Sequence, residues 1–281
     1  MTTGFVIKPE IFLFKASDIG LQLYIVREPI LKDVASTLAK VSEIGFTIVE
    51  GATCTGTQLL YDMEPAAFTA ILKQHNLKMP SCHYRLGQEM NNGQPVKGTM
   101  LHGWDKAVDD ASKVGIQYMV CALLSDLERG NIDHYKLLAD RLNKAGERCK
   151  KNGITMCYHN HDFEFDAQNG VVPYNILLKD TDPKLVKMEL DLYWVSRAGQ
   201  NAIAMFNKNP GRFPLFHMKD MDSTPNKDFT EVGNGTIDFA SIVANKKKAG
   251  LKCFFVEQDQ TPGDPFVSIK KSYDYIRKNL V

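Results

Sequence analysis

Four side chains of metal-ligand type, His159, Asp191, His217 and Glu257, each stand near the end of an apolar, strand-like run, and the four runs follow one another along the chain. Two imidazoles and two carboxylates suit Mn, Fe, Co, Ni or Zn and leave positions open for water or substrate oxygens. One polar strand end is commonplace; four on consecutive runs form a set that a common cavity would bring together. His161 lies two positions beyond His159 and shares its strand face. Either imidazole can therefore serve as the ligand, with His159 preferred. Glu189 shares a face with Asp191 but lies deeper, so Asp191 is the better ligand and Glu189 belongs with a filled interior layer. Tyr24, Glu50 and His83 stand in three earlier runs, Glu164 lies just beyond the fifth, and Lys219 follows His217 by two. Lys219 could shield an anionic intermediate or bind an acidic substrate group.

The elements that must position these residues are short β-rich runs alternating with longer helical patterns. The strand candidates are 19–26, 46–52, 77–84, 116–124, 154–161, 185–195, 213–220 and 251–259, with helices at 30–45, 133–153 and 266–279 among those between them. The segments SEIGF, SKVGI, KKNGI and KKAGL place a glycine just before a strand, where a helix C-cap belongs. The polar strand ends recur about every 33 residues, the length of one strand–loop–helix–loop unit. Eight such units predict an α/β fold, a single-domain (β/α)8 TIM barrel over 18–281 preceded by an N-terminal extension at 1–17. No GxGxxG or GxxxxGK[ST] supports a doubly wound nucleotide-binding sheet instead. The polar stretches 87–98 and 221–235 then become loops over the barrel mouth. The motif EVGNGTID in the second is read as loop-shaping rather than as a phosphate cradle.

Lys plus Arg number 34 against 33 Asp plus Glu, a net charge of +1, which argues against nucleic acid as a partner. No apolar run approaches the ~20 residues that span a bilayer. The first residues lack the unbroken apolar centre of a signal peptide. A cytoplasmic location is expected, or a periplasmic one if a leader has been removed. The six cysteines form no CxxC pair and are expected as buried free thiols in a reducing compartment.

The segments LQLYIVRE, IVEGA, YHNHDFEF, LDLYWVSRAG, HMKD, EVGNGTIDF and FVEQD together resemble the xylose-isomerase-like TIM-barrel superfamily of sugar phosphate isomerases and epimerases. That resemblance covers about residues 18–280. It implies a divalent cation (Mn, Co, Zn, Fe, Ni or Mg) held by one side chain from each of strands five to eight, with Asp191, His217 and Glu257 at the usual Asp, His and Glu positions. The fifth-strand position departs from the pattern, having His159 where many ketose epimerases have Glu. Trp194 stands where those enzymes often have His, and it could stack on a sugar face. The implied activity is a metal-dependent sugar isomerase or epimerase acting through a metal-stabilised enediolate. The alternatives are a lyase eliminating an aglycone from a 3-oxo-glycoside and a sugar-binding barrel without catalysis. Glu257, Glu50 and His161 are the candidate catalytic residues; Tyr24, His83, Glu164, Trp194 and Lys219 are the candidates for holding an unphosphorylated or oxidised sugar. Assembly into a homo-oligomer stays open.

Overall fold

Some parallel strands of this chain end where a side chain takes over a following backbone amide, and the strand ends build the mouth of a closed barrel. The computed structural model describes residues 18–54, 61 and 63–281; the expected extension at 1–17 lies outside the described residues. The strands are β1 (Gly20–Gln22), β2 (Ile48–Gly51), β3 (Lys78–Tyr84), β4 (Tyr118–Cys121), β5 (Thr155–His159), β6 (Val186–Asp191), β7 (Leu215–Met218) and β8 (Cys253–Val256). Each pairs in parallel with its chain neighbours, and β1 closes on β8 through Gly20↔Phe255 and Leu21↔Val256. The fold is the α/β (β/α)8 barrel that the spacing predicts. Among the described residues no helix is long and apolar enough to cross a membrane.

Several strands stop short of their apolar runs, and the reason is local. The Gln22 side chain accepts from the Tyr24 amide at 3.2 Å, so the run 19–26 turns into a 3-10 helix at Leu23–Val26. Tyr24 is therefore half-exposed on a turn rather than at a strand end. Asp191 likewise accepts from the Trp194 amide at 3.0 Å and caps a helix over Leu192–Arg197 inside the run expected as strand 185–195. The expected helix at 30–45 is divided by Asp33, which caps Val34–Ile44 by accepting from the Ser36 amide. Of the glycines expected as C-caps, Gly45, Gly115 and Gly250 are such, at φ 119°, 88° and 83°, whereas Asn152 caps the helix that precedes Gly153.

Inside the barrel, Ile48, Val120, Cys157, Leu215, Cys253 and Phe255 form a separate buried cluster. Side chains two positions further along a strand share its face. Glu50, His159 and His217 thus stand directly on this apolar plug, which closes the cavity from below. Four cysteines are buried free thiols, as expected, but Cys54 and Cys82 are joined in a disulfide. Register explains the pair. Gly51 lies opposite Cys82 on the adjacent strand, so residues 28 apart in sequence come to a Cα separation of 6.3 Å.

The loop over 221–235 is organised by Asp220. Its carboxylate accepts from the amides of Met221 (2.8 Å), Gly233 (2.9 Å), Gly235 (3.0 Å) and Ile237 (3.2 Å). A Cβ at Gly235 would strike Asp220 Oδ1 and the Met221 carbonyl, which accounts for the second glycine of EVGNG. These amides hold the protein's own carboxylate, in line with the loop-shaping reading. Asp220→Ala should cost about 3 kcal/mol in urea unfolding, because four part-buried amides lose their buried acceptor at once. A cost below about 1 kcal/mol would show that other contacts hold the loop.

Candidate active site

Two residues per turn of pleat stack two polar layers above the plug. The deep layer holds Glu50, His83, His159, Glu189 and His217; the upper layer, nearer the mouth, holds His161, Asp191, Lys219, Glu257 and Asp259. Glu50 is wholly buried and accepts from Gln22 Nε2 at 2.8 Å and from the Ser81 hydroxyl, and it meets His217 Nε2 at 2.6 Å. Glu189 Oε2 meets His83 Nε2 at 2.8 Å and His159 Nδ1 at 3.0 Å. Above them, Lys219 Nζ lies 2.7 Å from Glu257, 2.8 Å from Asp259 and 3.1 Å from Asp191. The ammonium is only 1% exposed, so these carboxylates are what keep it charged in the interior.

A cavity of about 540 Å³ opens over these layers. His83, His159, His161, Lys219, Glu257 and Asp259 line it together with Arg27 and Arg85, and Leu23, Tyr24, Leu31, Ala122 and Leu123 add apolar surface. Of the sequence-predicted residues, Asp191 and His217 are wholly buried among the wall residues, within 3.9 Å of each other. Glu50 lies beneath the cavity rather than on its wall. Glu164 is buried and accepts from the Tyr158 hydroxyl (2.6 Å) and the His161 amide (2.8 Å), so it fixes the His161 segment. Trp194 packs on Tyr193 and Phe229, with its ring 5.6 Å from His161 and from the Lys219 ammonium. Sequence reasoning missed Asp259, Gln22 and Ser81 and set Glu189 aside. Asp259 carried a signal, being two positions beyond Glu257; Gln22 and Ser81 carried none.

Burial and charge divide the histidines. Burial alone would lower His83, but Glu50 and Glu189 outweigh it and push the ring up to about 9. Burial, reinforced by Lys219, takes His161 down to about 3, and its Nδ1 has no hydrogen-bond partner. Burial and the neighbouring Glu50 charge raise Glu189 to about 7. Burial would raise Glu257 too, yet Lys219 and His217 hold it well below the carboxylate range.

The donors at the mouth fit a divalent cation. His217 Nδ1 lies 3.0 Å from Glu257 Oε2 and 3.9 Å from Asp191 Oδ2, and one donor atom from each of the three residues lies within 4.8 Å of the others. Such separations suit an ion about 2.0–2.2 Å from each donor. Asp191 Oδ2 is buried and accepts no well-directed hydrogen bond, although Lys219 is close. His159 points Nδ1 at Glu189 and leaves Nε2 3.8 Å from Asp191 Oδ2, at the edge of the set.

Residues 38–278 match the family described as xylose isomerase-like TIM barrel. The chain belongs to that family. Curated relatives of this xylose isomerase-like barrel include the inosose dehydratases of Geobacillus thermodenitrificans and Clostridium beijerinckii. The first is 28% identical over 168 residues, covering 52% of this chain and 55% of the relative. The second is 29% identical over 170 residues, covering 53% and 55%. The chain spans about half the length of the curated relatives it matches. A sugar phosphate isomerase/epimerase from Parabacteroides distasonis is 26% identical, with a TM-score of 0.80 over 93% of this chain and 98% of that one. The resemblance read from the motifs is thus borne out at the level of the family.

Glu164 offers a test of the site's electrostatics. Burial outweighs its hydrogen bonds and raises it from 4.5 to about 7. The folded state then binds this proton more tightly than the unfolded chain, so stability falls as pH rises through that window. Relative to Glu164→Gln, the wild type should lose roughly 3 kcal/mol between acid and mildly alkaline pH. Urea unfolding at a series of pH values reads this directly; a difference that does not change with pH would refute the assignment.

Proposed function

We propose that this barrel removes a proton α to the carbonyl of a polyhydroxylated ketone, a keto-inositol or oxidised sugar, and expels the β-oxygen in a lyase-type elimination. One observation carries this reading. The buried Lys219 ammonium, anchored by Asp191, Glu257 and Asp259, faces a cavity that also receives His161, whose Nδ1 is unpartnered. An ammonium held in a protein interior stabilises charge developing on a carbonyl oxygen without reorganisation. The neutral His161 accepts the α-proton at Nδ1. The imidazolium so formed returns that proton to the departing β-oxygen, which balances the elimination. Leu23, Tyr24 and Leu123 cover the apolar face of the ring and keep water from it. A divalent cation held by Asp191, His217 and Glu257 would add Lewis acidity toward the carbonyl and an adjacent hydroxyl.

Elimination fits this wall better than epimerisation, which needs proton carriers on opposite faces of one carbon. Here β5 supplies His159, tied to Glu189, in place of the carboxylate that would be the second carrier. The relatives named inosose dehydratase support this reading. The sugar phosphate isomerase/epimerase structure, matched along nearly the whole chain, supports isomerisation or epimerisation as the second reading, which shares the first proton transfer.

Incubation in deuterated water with inosose, 3-oxo-glucosides and simple ketoses separates the two. The expected result is release of the β-oxygen group and growth of an enone absorbance. Lys219→Met and Glu257→Gln should each slow this about 10²–10⁴-fold, and a chelator should suppress it. Deuterium uptake without loss of the β-oxygen would favour isomerisation. Neither uptake nor loss with any of these ketones would sink both readings.

A further inference from the structure

The deep layer holds more ligand chemistry than the mouth uses. His83 Nε2, His159 Nδ1 and His217 Nε2 converge on a single oxygen of Glu189, at 2.8, 3.0 and 3.3 Å. One donor atom from each of these four residues lies within 4.8 Å of the others. Oε1 of the same carboxylate is buried and has no hydrogen-bond partner. A network that only shares protons would spread its donors over both oxygens, since a carboxylate accepts at each. Here two ring nitrogens bond one oxygen, a third lies 3.3 Å from it, and the other oxygen is bare. Glu50 adds a second buried carboxylate, its Oε2 3.3 Å from His83 Nε2.

We propose that this layer is a second divalent-cation site, with His83 Nε2, His159 Nδ1 and Glu189 Oε2 as ligands and Glu50 within reach as a fourth. Its nitrogen-rich donors select a borderline ion such as Zn(II) or Co(II) rather than Mg(II). The site is separate from Asp191, His217 and Glu257 at the mouth. A neutral imidazole has one lone pair, so each ring serves one ion. His217 offers Nδ1 to the mouth, which leaves its Nε2–H to donate to Glu50 at 2.6 Å. His159 offers Nδ1 to the deep site and turns Nε2 toward Asp191. Both ions then sit at once with no ring bridging them. The deep ion offsets the charge of two carboxylates that lie on an apolar plug with no lysine or arginine in the deep layer.

The test uses the full chain, stripped with a chelator, reloaded with Co(II) and freed of excess, then assayed for cobalt by mass spectrometry and for visible absorption. The wild type should retain about two ions per chain, with a ligand-field band of a nitrogen-rich site. Glu189→Gln and His83→Gln should each retain about one and lose that band, whereas Asp191→Asn should retain about one and keep it. A single wild-type ion that disappears in both deep variants and persists in Asp191→Asn also supports the deep site. Two wild-type ions undiminished in both deep variants, or one ion that both keep, overturn it. Far-UV circular dichroism of the variants separates loss of metal from loss of fold. The outcome is independent of the reaction, because no substrate enters the measurement.

Discussion

Buried charge in need of compensation is the constraint on which the structure turns. Glu50, Glu189, Asp191 and Glu257 are each less than a tenth exposed, and Asp259 joins them at the rim, yet one ammonium, Lys219, is the fixed cation among them. An isolated carboxylate is far too costly to place in such surroundings. The interior meets that cost with rings that hold protons: His83 is driven up, and Glu189 retains its own proton to near neutrality. Protons held in this way are what a divalent cation would displace on binding such a cluster.

The fold supplies what such a cluster requires. A plug of Ile48, Val120, Cys157, Leu215, Cys253 and Phe255 closes the floor and keeps water from entering below. Above it, the two-residue period of the strands stacks the charged residues in layers. His159 and His161, Glu189 and Asp191, and His217 and Lys219 are three such stacked pairs. Stability and chemistry meet in single residues. The Asp191 carboxylate caps a helix with one oxygen and turns the other toward Lys219 and His217. Gln22 ends β1 with its carbonyl and binds Glu50 with its amide.

Much of this was legible in the chain alone. Apolar runs about 33 residues apart, each ending in a polar residue, specify an eight-unit barrel, because only a closed parallel sheet makes eight such ends converge. Strand lengths were not legible in the same way. The runs containing Tyr24 and Trp194 stay apolar past the strand, and what stops them is a side-chain cap, which hydrophobic periodicity does not register. The Cys54–Cys82 bridge was hidden for a related reason: it depends on which residues face each other across β2 and β3, a matter of register rather than spacing.

The sequence by itself determined the barrel, the family and the residue types at the mouth, since period and strand-end chemistry are local properties. Only the tertiary structure decided which atom each residue presents. His159 turns Nδ1 inward to Glu189, Glu50 sinks beneath the cavity, Glu164 braces the His161 segment, and Lys219 drops among three carboxylates. Apart from the local Glu164 contacts, those choices follow from competition for partners between strands 28 or more residues apart in sequence. Whether a buried charge finds its counter-charge depends on ångström distances that no linear pattern encodes.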